Sequence, residues 1–77
     1  MKELLEYLAR ALVEDPDAVE VTEYEEGDGE VVLELVVAED DMGRVIGRGG
    51  RVANALRSVI KAAATHERKR VMVEILD

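Results

Sequence analysis

Cysteine is absent from this chain, so neither a disulfide nor a thiolate metal site can form. Tryptophan and phenylalanine are absent too, and two tyrosines are the only aromatics. A binding surface built on rows of stacked aromatic rings is therefore excluded. One histidine, His66, cannot build a metal cluster, and its place among Glu67, Arg68, Lys69 and Arg70 predicts a polar loop residue. No apolar run reaches the ~20 residues of a membrane span. Met1-Lys2-Glu3-Leu4-Leu5-Glu6 carries acids too early for a signal peptide, so the expected location is cytoplasmic, without a membrane partner. With no cysteine, one exposed histidine and Ser58 expected mid-helix, no nucleophile has a base beside it, and an enzyme is not expected. Nothing in the chain asks for a cofactor or a metal. Glu39-Asp40-Asp41 is expected to cap a helix rather than bind a cation.

What is present is charge, unevenly placed. The 77 residues carry a net charge of −8. From Gly43 to Arg70, however, eight basic residues face the single acid Glu67, a net +7. Residues 1–42 hold −13 and residues 71–77 hold −2. Such asymmetry points to a polyanion more firmly than the total argues against one. A chain of this length forms one domain, residues 1–77, with a modest core.

Hydrophobic periodicity divides the chain. Glu3 to Val13 predicts a helix with Leu4, Leu5, Leu8 and Leu12 on one face and Tyr7 at its edge, stopped by Asp15-Pro16. Ala18 to Glu25 predicts a strand, Gly27-Asp28-Gly29 a hairpin turn, and Glu30 to Ala38 a strand apolar on both faces, hence central. A short helix follows through Ile46. Arg51 to Ala64 predicts the longest helix, with Val52, Leu56, Val59, Ile60 and Ala63 buried and Arg57 and Lys61 opposite. Arg70 to Leu76 predicts the last strand, parallel to Glu30 to Ala38 if the two pair, with a right-handed crossover. The fold class is α+β, in the order helix-strand-strand-helix-helix-strand, a three-stranded mixed sheet with three helices on one face.

Between the last two helices lies Gly43-Arg44-Val45-Ile46-Gly47-Arg48-Gly49-Gly50-Arg51. Glycines at 47, 49 and 50 permit positive φ and close backbone approach. Arg44, Arg48 and Arg51 surround them, and the following helix start adds partial positive charge. A dinucleotide fingerprint fails because its sixth position is Val52, and a P-loop fails because no Gly-Lys-Ser/Thr ends the loop. Gly-x-x-Gly between two helices, which clamps a single-stranded nucleic-acid backbone, is satisfied by Gly47-Arg48-Gly49-Gly50. The expected contacts are Arg44, Val45, Ile46, Gly47, Arg48, Gly49, Gly50, Arg51 and Asn54. In that reading Val45, Ile46 and apolar groups of Glu30 to Ala38 meet base faces.

Val45-Ile46-Gly47-Arg48-Gly49-Gly50 resembles the signature of KH domains, and the element order resembles their type II arrangement. Leu12 to Val19, Gly43 to Gly47 and Ala55-Leu56-Arg57 look like the small single-domain bacterial KH proteins of the KhpA (YlqC) family. The resemblance runs nearly end to end. Where the signature usually has a large aliphatic residue, three positions after the second loop glycine, this chain has Ala53. The resemblance implies RNA binding without catalysis, an RNA-chaperone role, and action as a homodimer or with a larger KH protein of the KhpB (Jag/EloR) family. A protein-interaction module that keeps the KH shape but binds little RNA is the competing expectation. The open sheet face (Val32, Val36, Met72, Leu76) and the alanine-rich helix would supply its contacts.

Overall fold

The most apolar stretch of the chain becomes the middle of a sheet. In the computed structural model, which describes residues 1–76, Val31–Val36 is the central strand of three. The elements are α1 (Lys2–Leu12), β1 (Glu20–Glu25), β2 (Val31–Val36), α2 (Met42–Ile46), α3 (Arg51–His66) and β3 (Val71–Leu76). β1 runs antiparallel to β2, with Val21 opposite Leu35 and Tyr24 opposite Val32. β3 runs parallel to β2, with Leu33 beside Val73, so the intervening crossover carries both α2 and α3.

Alternate strand residues meet the helices. Val21, Leu33, Leu35 and Val73 join Leu5 and Ala9 of α1, Val45 of α2, and Leu56 and Ile60 of α3 in one core. Leu5, Leu33, Leu35 and Ile60 are fully buried, each contributing roughly 1.5–3 kcal/mol relative to exposure. On the opposite face Glu34 and Glu74 stand side by side in register. The Tyr24 hydroxyl donates to Glu34 Oε2 at 3.0 Å, which raises the phenol's pKa above its ordinary value.

Several local expectations are corrected. β1 begins at Glu20, because Pro16–Ala18 forms a 3-10 turn that the fixed proline φ suits. In the hairpin, only Gly29 takes a positive φ (87°), while the Asp28 carboxylate accepts the Glu30 amide at 3.1 Å. Tyr7, expected at the edge of the apolar face, is 71% exposed and packs into no core. α3 runs to His66, which is its last residue and not a loop residue.

The buried stripe of α3 is Ala53, Leu56, Ile60 and Ala64, spaced 3, 4 and 4 residues apart. It is rotated from the expected Val52-Leu56-Val59-Ile60-Ala63. Ala53 and Ala64 are slim enough to let the helix settle close to its neighbours at both ends. That rotation turns Val59 outward, where it is 47% exposed. With Leu8, Ala11, Leu12, Val52, Ala55 and Leu56 it lines an apolar groove of about 270 Å³ between α1 and α3.

Candidate nucleic-acid interface

The loop starts where α2 runs out. Gly47 donates its amide to Gly43 O at 2.9 Å, ending α2, and then takes φ 76° and ψ 169°. Arg48–Gly50 makes one 3-10 turn, with Gly49 at φ 64° and Gly50 at φ 79°, and α3 begins at Arg51. Three positive φ values within four residues are a demand that glycine meets without steric cost. The three positions differ in what surrounds them. A Cβ on Gly47 would sit 2.5 Å from Val52 Cγ2, so this glycine is packed into the fold. A Cβ on Gly49 would meet nothing within 4 Å. Open space at Gly49 leaves its backbone approachable from outside.

Arg48, Gly49, Arg51 and Asn54 are exposed, and Gly50 is half-buried beside the Asn54 amide. Among the described residues, neither Arg48 nor Arg51 makes an ion pair. Their guanidinium groups are uncommitted. Some backbone donors are not: Gly50 N–H bonds to Gly47 O at 3.1 Å and Arg51 N–H bonds to Arg48 O. The turn itself uses these two amides, which are then not offered to a ligand. The dipole of the sixteen-residue α3 still places its positive end here.

Two expected contacts are placed elsewhere. Val45 is 0% exposed and anchors α2 in the core, so it cannot touch a base. Arg44 is committed: Nη2 lies 2.7 Å from Glu14 Oε1, and Nη1 lies 3.3 Å from Asp41 Oδ1. Asp41 is buried and, contrary to the capping expected of Glu39-Asp40-Asp41, makes no side-chain cap bond to α2. Instead its two oxygens accept the Glu14 and Asp15 amides at 3.1 Å each. Those amides, with help from Arg44, hold the Asp41 carboxyl below the usual carboxylate range. Arg44 and Asp41 therefore tie the start of α2 to the corner after α1. Ile46, two residues on from Arg44 and so about 200° around the helix, is 39% exposed.

The expectation that β2 provides an apolar wall also changes. β2 is central and covered, and the strand edge beside α3 belongs to β3. One face of α3 leads from the loop to that edge: Asn54, Arg57, Lys61 and Thr65 follow at steps of three and four residues. Arg57 Nε donates to Val73 O at 3.2 Å, bridging helix and strand. Around this bridge opens a groove of about 490 Å³, with Lys61, Lys69 and Arg70 on its rim and Val71, Met72 and Val73 along its strand side. Arg57, Lys61, Lys69 and Arg70 were not among the sequence-predicted contacts. Their signal was the helical spacing from Asn54 together with the local positive charge.

The family model described as "KhpA/KhpB, KH domain" matches residues 2–75. A protein called RNA-binding protein KhpA from Clostridium acetobutylicum is 57% identical over 76 residues, covering 99% of this chain and 100% of the relative. One of the same description from Caldanaerobacter subterraneus subsp. tengcongensis is 54% identical, with the same coverage. Another, from Aquifex aeolicus, is 44% identical over 77 residues, covering 100% and 96%.

Proposed function

This chain belongs to the KhpA/KhpB KH-domain family, and we propose that it holds short single-stranded RNA against the Gly47–Gly50 turn. One observation carries the reading: Gly49 faces open space between Arg48 and Arg51, which make no ion pair among the described residues. Phosphates approach the glycine backbone and pair with those two guanidinium groups. Bases then lie over Ile46 and Asn54 and follow α3 toward Arg57 and Lys61. About four nucleotides fit such a clamp. Arg44 supports the turn from behind through Asp41 and Glu14, and contributes to the field more than to contact.

Without tryptophan or phenylalanine, one copy gains little stacking energy. Its grip is weak and reversible, which suits a chaperone that holds RNA without catalysing a reaction. Among the described residues no helix is long and apolar enough to cross a membrane, and RNA places the work in the cytoplasm. A second copy, seated on the apolar groove between α1 and α3, raises the effective concentration of binding sites. A two-fold contact sets the same patch against itself, and an apolar patch is its own complement. A larger KH protein of the KhpB family could present a similar helix to the same groove.

The deciding experiment replaces Arg48 and Gly49 together by aspartate. Aspartate tolerates the left-handed conformation at Gly49 better than most residues, so circular dichroism should report a folded protein. RNA affinity should fall by at least ~100-fold, since two charges reverse against phosphate. Unchanged affinity in the folded variant refutes the reading and favours a module that only binds protein.

A further inference from the structure

The groove between α3 and β3 has an acid in its wall. Glu30, half-buried just before β2, lines it together with Arg57, Lys61, Lys69 and Arg70. The hairpin fixes the Glu30 backbone on both sides: its amide donates to Asp28 Oδ1 at 3.1 Å, and its carbonyl accepts the Glu26 amide at 2.7 Å. Among the described residues no cation pairs with its carboxylate, and Arg70 pairs with Asp28 at 3.3 Å instead. The carboxylate therefore keeps its accepting capacity.

An unpaired carboxylate is a poor neighbour for phosphate. It opposes the surrounding cations at the place where a polyanion would gain most from them. What it suits is a neutral group that donates hydrogen bonds; in RNA that is a base edge or a ribose 2′-hydroxyl, and only the base edge differs from one nucleotide to the next. Guanine presents two adjacent donors, N1–H and the 2-amino group, which match the two oxygens of a carboxylate. Cytosine and adenine each present one amino group. Uracil presents a single N–H between two carbonyl oxygens, both of which a carboxylate repels. The groove, at about 490 Å³, falls in the size range of pockets that enclose small ligands, roughly 300–1,000 Å³.

Given that RNA runs along α3 as set out above, we propose that Glu30 is a specificity-determining residue. It accepts hydrogen bonds from an amino-bearing base in the groove, guanine best, and disfavours uracil. Arg57 and Lys61 meanwhile hold the flanking phosphates.

The test compares heptauridine with heptamers in which the central uridine is replaced by guanosine, adenosine or cytidine. Wild-type protein should bind the guanosine heptamer about 10-fold more tightly than heptauridine. Glu30→Gln should bring the four within about twofold, with the affinity for heptauridine rising. Glu30→Asp, which keeps the charge but withdraws it by one methylene, should also lose the ranking. An equal gain for all four heptamers in Glu30→Gln overturns the proposal, because it reduces Glu30 to general repulsion. An unchanged ranking in both variants overturns it as well. The Arg48/Gly49 aspartate variant serves as control. If it still binds all four heptamers, the RNA reading itself fails. If it binds none while the Glu30 variants keep the wild-type ranking, only the role of Glu30 fails.

Discussion

Gly47 and Val52 are packed so tightly that a Cβ on the glycine would lie 2.8 Å from the valine amide nitrogen as well as 2.5 Å from its Cγ2. The turn between α2 and α3 is thus closed by contact between its first glycine and the second residue of α3. Backbone cannot retreat as a flexible side-chain tip can. Gly47→Ala is expected to destabilise the protein by about 2–4 kcal/mol, through both the clash and the positive φ. Gly49→Ala, in open space and in the left-handed region, should cost only about 1–2 kcal/mol. Urea unfolding of the two variants checks the difference, and equal losses would contradict it.

Asp41 gives an acid-side signature. Its folded pKa is depressed, so its stabilising contribution is complete above the ordinary carboxylate pKa of about 4. That contribution is lost as pH falls through the lower folded value. Asp41→Asn should lower the thermal midpoint at pH 7 by several degrees, since asparagine has one acceptor oxygen where the carboxylate offers two, and its NH2 would face a backbone N–H or the Arg44 guanidinium. The variant should also lose less of its remaining stability than wild type between pH 5 and pH 2. Thermal unfolding across that range is the measurement.

Lys61 and Arg57 should count as phosphate contacts. For single strands, log K against log salt falls by about 0.7 per phosphate neutralised, so three or four contacts give a slope near −2 to −3. Lys61→Gln should make the slope shallower by about 0.7 while leaving the fold intact. Arg57→Gln should do the same and also free the Val73 carbonyl that the guanidinium now occupies. Fluorescence anisotropy at several salt concentrations decides it, with an unchanged slope as the contrary result.

Self-association should depend on Val59 and not on the loop. Val59→Glu places a charge in the apolar groove at a residue 47% exposed in the single chain. The folded monomer should tolerate it, while dimer dissociation should strengthen at least ~100-fold, because the carboxylate would be buried unpaired. Sedimentation equilibrium of wild type, Val59→Glu and the Arg48/Gly49 aspartate variant separates the surfaces. Only Val59→Glu should dissociate.

Much of this architecture was legible in the residues. Apolar residues on both faces of Glu30 to Ala38 point to a central strand, and the two helices before Val71 make the last strand parallel to it once the two pair, as they do. The loop was legible because glycines and arginines alternate over so short a stretch. The rotation of α3 was not, because Ala53, Ala55, Ala62, Ala63 and Ala64 surround the helix with residues that suit either side. Arg44 misled for another reason. Its partner Glu14 lies 30 residues earlier, and no local pattern shows that one charge is already spoken for. Helical spacing places Arg57 and Lys61 opposite the buried stripe of α3, and both are exposed there. Only the position of β3 shows that this side faces a strand edge across a groove.

The order in which these parts are made has its own consequence. A ribosome delivers the glycine turn and all eight cations of residues 43–70 before it delivers β3. Until residues 71–76 slide in beside β2, Arg57 has no Val73 carbonyl to hold, and α3 has no strand to face. A nascent chain at that stage carries the basic segment without the α3–β3 groove beside it. Whatever selectivity that groove confers arrives only with the last strand.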